Sequence, residues 1–182
     1  MKQKITYNEW DKIQFEQILK PYLESIENDF LALHKVVKSY NWDHGNESLF
    51  HIIRNPKTDK ATALSIYWLG QPNDYTEYKN RDEVDSYYQE GYDLLKEIEK
   101  NIEQNFYKSQ QINYDPKDDM GTDWTQDYNA SDAKTKIPET MFETTQGNMS
   151  HNEIDEGELE EGFPATVWEK CEELENKYEI IG

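Results

Sequence analysis

A single cysteine, Cys171, stands among 182 residues, which excludes an intramolecular disulfide and a cysteine-built metal cluster and fits a reducing compartment. Positive charge is scarce: 19 Lys and Arg face 38 Asp and Glu, for a net charge of −19. A field of that sign repels nucleic acid and anionic membrane, so direct nucleic-acid binding and membrane attachment are not expected. No window approaches the ~20 apolar residues that a bilayer span requires. The opening "MKQKITYNEWDKIQFEQIL" lacks the apolar run and small-residue cleavage site of a signal peptide, so a cytoplasmic protein is expected. Internal repeats and glycine-rich nucleotide loops are missing too, and no cofactor is expected.

Aromatics are what the chain has in quantity, with 13 Tyr and 5 Trp. Disordered chains are poor in them, so most of this one should fold, as a single domain of ordinary size. The charge is uneven. Residues 1–100 carry 13 basic and 18 acidic side chains, whereas residues 101–182 carry 6 and 20. The acidity can serve solubility alone, or it can steer a basic partner into contact.

Periods near 3.6 predict a mainly α fold: a helical, bundle-like core over 1–107, an irregular acidic segment over 108–162 and a docked C-terminal helix over 163–182. Leu23, Ile26, Phe30, Leu33, Val37 and Tyr40 predict one helix of about five turns after Pro21, preceded by a shorter one with Phe15, Ile18 and Leu19 on its inner side. A two-turn helix stops before Pro56. Thr58 or Asp59 caps the next, which buries Ala61, Leu64, Tyr67 and Trp68 and ends near Gly70. A second long helix is expected over 83–107, with Val84, Tyr88, Leu95, Ile98, Ile102 and Phe106 inward and a neighbouring helix close to Gly91. "INYD" and "TMFET" can each form a short strand, and a short β-hairpin is expected within this segment. Pro164 opens the last helix, docked through Val167, Trp168, Cys171, Leu174 and Tyr178.

The stretch "YNWDHG", Tyr40 to Gly45, has two readings. Asp43 beside His44 resembles catalytic chemistry, with His51 as a further candidate base. Yet adjacent side chains rarely aim at one target, no nucleophile stands in an activating pattern, and the four His lack metal-ligand spacing. The alternative is a turn: Tyr40 ends a helix, Asn41 and Gly45 take positive φ, Asp43 caps backbone N–H groups and Trp42 packs beneath.

The run "LHKVVKSYNWDHGNESLFHIIRNPKTDKATALSIYWL" resembles a family of small bacterial domains of unknown function that share a "YNWDDG" turn and an aromatic-rich "DxxTAL" helix. Here His44 replaces the usual aspartate, and Lys60 stands where the family often has a small or apolar residue. The later "EIEKNIEQNFYKSQQINYDP" and "IPETMF" are similar as well. The family's members resemble immunity proteins encoded beside secreted toxins. The resemblance therefore implies a non-enzymatic helical inhibitor that occludes a cognate toxin with a basic, nuclease-like surface.

Acidity and aromatics place the expected interface on Asp115, Asp118, Asp119, Asp123, Trp124, Asp127 and Tyr128 and on Glu153, Asp155, Glu156, Glu158, Glu160 and Glu161. Each cluster can equally be a solvated loop. Two other functions stay open: an acidic DNA mimic that inhibits a nucleic-acid-binding protein, and a small-substrate hydrolase built on Asp43, His44 and His51. Oligomeric state is left open.

Overall fold

A computed structural model describes residues 2–181, and it is mainly α. The chain divides into two compact units, Met1–Ile52 with Asp155–Gly182, and Ile53–Ile154.

In the first unit, β1 (Gln3–Thr6) leads into α1 (Tyr7–Gln14), whose start is a capping box: Thr6 Oγ1 accepts the Glu9 N–H while the Glu9 carboxylate accepts the Thr6 N–H at 2.8 Å. The helix does not begin after Pro21, as periodicity suggested. A π-helical turn, Phe15–Leu19, joins α1 directly to α2 (Lys20–Ser25), and Pro21 sits in the first turn of α2. Proline lacks the N–H that an α-helix would bond there, and the wider turn before it accommodates the loss. The five-turn helix expected over 23–40 is instead broken at Ile26–Asp29. The Asp29 carboxylate accepts the Leu31 and Ala32 N–H groups at 3.0 Å and starts α3 (Phe30–Lys38) afresh. Leu23, Leu33, Val37 and Tyr40 are buried as expected, but Ile26 and Phe30, at the break, are only half-buried. Helix α4 (Glu47–Ile53) ends before Pro56.

The last helix of this unit, α7 (Ala165–Glu175), docks through Val167, Cys171 and Leu174. It does not continue to residue 182, because Tyr178–Ile181 forms strand β6 parallel to β1, with Ile5 opposite Ile180. Ile5, Trp10 and Leu174 make a small core there, flanked by Ile13, Ile18, Tyr178 and Ile180.

The second unit is organised around α5 (Lys60–Leu69), in which every residue from Ala61 to Trp68 is buried. A helix apolar on all sides is a central one. Asp59 is its cap: Oδ1 accepts the Ala61 N–H, and Oδ2 accepts Ser109 Oγ–H and the Gln111 N–H. Trp68 donates its indole N–H to the Met141 carbonyl at 2.9 Å. Helix α6 spans Gln89–Glu103, shorter than the 83–107 expected. Asp85 makes its own turn with Tyr87 and Tyr88 before the helix, and Asn105, at φ 51°, ends it. That reversal shifts the phase, so Tyr107 is buried while Phe106 is not. Gly91 faces the Tyr75 hydroxyl, where a Cβ would come within 2.5 Å, rather than a neighbouring helix.

Ile112–Asn113 is a strand, β2, as expected. It pairs in parallel with β3 (Met149–Ser150), while "TMFET" is a 3-10 turn, Glu139–Phe142. The hairpin lies elsewhere, in the first unit. There β4 (Leu159–Glu160) and β5 (Phe163–Pro164) are joined by Glu161 and Gly162, both at positive φ. Two positive-φ residues between short antiparallel strands make the mirror-image turn that suits strand twist.

Candidate functional site

The "YNWDHG" stretch folds as a turn. Asn41 accepts the Asp43 N–H at 3.0 Å and caps a 3-10 turn, Trp42–His44, with its own φ at −85°. Gly45 alone takes the positive φ, 76°, and its carbonyl accepts the Tyr40 hydroxyl at 2.9 Å. Tyr40 is buried against Phe163 with Trp42 edge-on to it. The capping role therefore belongs to Asn41 and not to Asp43, whose side chain is exposed. Asn41→Ala is expected to cost ~1 kcal/mol, and Asp43→Ala close to nothing. Paired thermal melts of the two variants check this.

His44 is held by Glu161, not by Asp43: Nε2 lies 2.6 Å from Oε2. This contact, with a further bond from Asn41, keeps the Glu161 carboxyl below the usual range. The β4–β5 hairpin aims Glu161 at the turn, and the His44 ring packs on Trp168 with centroids 4.9 Å apart. Together they wall a cavity of about 320 Å³ in the first unit, which Trp10, Gln14, Glu160, Cys171, Glu172 and Glu175 also line. His51 is half-buried edge-on to Phe15, and burial lowers its pKa. Among the described residues no group of three or more His, Cys, Asp or Glu is arranged to hold a metal ion.

The acidic residues singled out from the sequence divide between the two units. Asp119 is buried, 8% exposed, at the centre of a hydrogen-bonded network. Trp124 donates its indole N–H at 2.8 Å, His151 Nε2 lies at 3.0 Å, and the Tyr114 hydroxyl is at 3.4 Å. His151 and Tyr114 also meet edge to face. Tyr128 accepts the Ile137 N–H and stacks with Phe142. Asp115 and Asp123 accept N–H groups of their own turns, from Lys117 and Thr125. Asn152 ties the Asp118 carbonyl to the 3-10 turn His151–Glu153. Asp118, Asp127 and Glu153 are exposed. Asp155, exposed, and Glu156, half-buried, belong to the other unit, as do Glu158 and the hairpin residues Glu160 and Glu161. The long aperiodic segment is thus ordered by buried polar chemistry, for which a period-based reading has no signal.

Sequence reasoning missed an exposed pair of aromatics. Tyr87 is 84% and Tyr88 57% exposed, and their rings meet edge to face with centroids 5.0 Å apart. Tyr88 was expected inside a helical stripe. Instead, the Asp85 carboxylate accepts the Tyr87 N–H at 2.9 Å, and the Asp85 carbonyl accepts the Tyr88 N–H at 2.9 Å. The Tyr75 hydroxyl adds a long bond to the Tyr88 carbonyl. Asp82, Glu83, Asp85 and Glu90 around the pair are exposed. The signal was "DEVDSYY", in which an aspartate two residues before the first tyrosine makes a local turn.

No helix among the described residues is long and apolar enough to cross a membrane. No curated protein and no solved structure matches the chain. Residues 28–103, a stretch that holds both "YNWDHG" and "DKATAL" but is less than half of the chain, match the family model of a domain of unknown function, DUF4274.

Proposed function

We propose that this chain is a binding protein that docks a basic protein partner. Following the resemblance of its first half, it acts as a cytoplasmic immunity protein that covers the active surface of a cognate bacterial toxin. The observation that carries the reading is the Tyr87–Tyr88 pair, held exposed on a turn fixed by three hydrogen bonds. Exposed aromatics are costly to leave in water, and tyrosine offers large contact area at small loss of side-chain entropy. A turn already fixed in place lowers the ordering cost of binding. The carboxylates around the pair and the acidity of residues 101–182 supply the complementary field.

The test is co-expression with the product of the adjacent gene. The chain is expected to protect cells from that product and to co-purify with it, and Tyr87→Ala with Tyr88→Ala is expected to remove both effects. Full protection by the double variant would overturn the assignment of the interface.

A further inference from the structure

The Tyr87–Tyr88 turn runs straight into α6, whose cap residue is Tyr88 itself, with no side-chain hydrogen bond to fix the helix start. The Tyr88 carbonyl accepts the Tyr92 N–H at 3.1 Å and the Tyr75 hydroxyl at 3.4 Å. Tyr75 closes the 3-10 turn Pro72–Tyr75, and its half-buried ring lies 6.0 Å from that of Tyr92, so the hydroxyl comes from a side chain already held in place. It reaches the carbonyl over Gly91. A Cβ at Gly91 would lie 2.5 Å from the Tyr75 oxygen and 3.5 Å from its Cζ, and it would meet no other side chain within 4 Å among the described residues. Gly91 has ordinary helical backbone. Glycine is a poor helix former and alanine the best, so the helix alone gives no reason for a glycine here. The space under the Tyr75 hydroxyl does. The side chains of Gln89 and Arg81 bond the Val84 carbonyl and the Asp93 carboxylate, and so brace the approach to the turn without bonding Tyr87 or Tyr88.

We infer that Gly91 and Tyr75 are positioning residues for the Tyr87–Tyr88 anchor. The missing side chain at Gly91 lets the Tyr75 hydroxyl hold the Tyr88 carbonyl, and with it the turn that presents both rings. A Cβ at that position pushes the hydroxyl off the carbonyl, and the turn is then left with the two bonds that Asp85 supplies. A looser turn must be ordered again on binding, which costs affinity although neither Gly91 nor Tyr75 is part of the anchor. The part that this brace plays in binding rests on the proposed function; the brace itself does not.

The experiment compares Gly91→Ala, Tyr75→Phe and the double variant in the full chain. Native-state hydrogen exchange at the Tyr88 and Tyr92 amides reads the turn without a partner, and surface plasmon resonance against the adjacent gene's product reads dissociation. Each single variant is expected to speed both by about threefold or more, the effect of one lost hydrogen bond. The melting temperature of Gly91→Ala is expected to hold or rise, because alanine favours the helix. Phenylalanine in place of Tyr75 removes the oxygen that the new Cβ would meet, so Gly91→Ala is expected to add nothing in the Tyr75→Phe background. Additive effects of the two changes, or unchanged exchange in Gly91→Ala, overturn the brace. Faster exchange with unchanged dissociation, where Tyr87→Ala does raise dissociation, overturns its part in binding. If Tyr87→Ala and Tyr88→Ala themselves leave dissociation unchanged, the interface reading fails instead, and hydrogen exchange alone decides the brace.

Discussion

Asp119→Ala is expected to destabilise the second unit by about 4 kcal/mol, as much as a large core truncation. Removing the carboxylate leaves the Trp124 indole N–H, the His151 imidazole and the Tyr114 hydroxyl without their shared acceptor. Breaking a buried charged contact by deleting one partner costs about 3–5 kcal/mol, because the survivors stay desolvated. For a chain of this size that corresponds to a fall in melting temperature of roughly 10 °C. Burial alone would push the Asp119 carboxyl up, yet the bonds from His151 and Trp124 outweigh it and hold the pKa below the usual value. The sign follows from that direction. The contribution is fully present above the unfolded aspartate value of about 3.9 and is lost as pH falls through the lower folded value. Melting temperature against pH, for wild type and Asp119→Asn, is expected to show the acid-side loss flattened in the variant. Superimposable curves and an unchanged melting temperature would remove the network from the account.

Tyr87→Ala and Tyr88→Ala are expected to weaken the partner complex by ~2 kcal/mol or more each while leaving the fold intact. Neither ring is buried, so no cavity forms, and the Asp85 turn uses only backbone N–H groups of the two residues. Anchors of this kind act mainly on the off-rate. Charge reversal at Asp82 and Glu83, both exposed, is expected to act on the on-rate instead, because rim charges steer more than they hold. Surface plasmon resonance with the adjacent gene's product separates the two. Unchanged dissociation in Tyr87→Ala and Tyr88→Ala would move the interface elsewhere.

Helices with local causes were legible in the sequence. The Asp59 cap, the stop before Pro56 and the inward face of α7 follow from capping, proline sterics and period, and each stands in the fold. What was not legible depended on contacts far apart in the chain. The parallel pairing of β1 with β6 joins residues near 5 to residues near 180, and four-residue strands carry no period of their own. The five-turn helix over 23–40 failed because a stripe records which residues face inward, not whether the backbone between them is continuous. Asp29 broke it with a cap that periodicity ignores.

The candidate sites divide the same way. "YNWDHG" was legible as a turn, since Asn and Gly favour one, but its cap, Asn41, lies two residues earlier than Asp43. Asp119 looked like surface because aspartate usually is. Only the indole, imidazole and phenol that surround it make its burial affordable. The cavity of His44, Trp10 and Trp168 draws on four separate stretches of chain, and no window of sequence holds it.

The most direct test of the proposed binding function is the association rate of the full chain with the adjacent gene's product at two ionic strengths, by surface plasmon resonance. A basic partner steered by a chain of net charge −19 is predicted to associate fast at low salt. Its association should slow markedly as the Debye length falls from about 10 Å at 0.1 M to about 3 Å at 1 M, with dissociation little changed. An association rate indifferent to salt, or no binding at any salt, would contradict it.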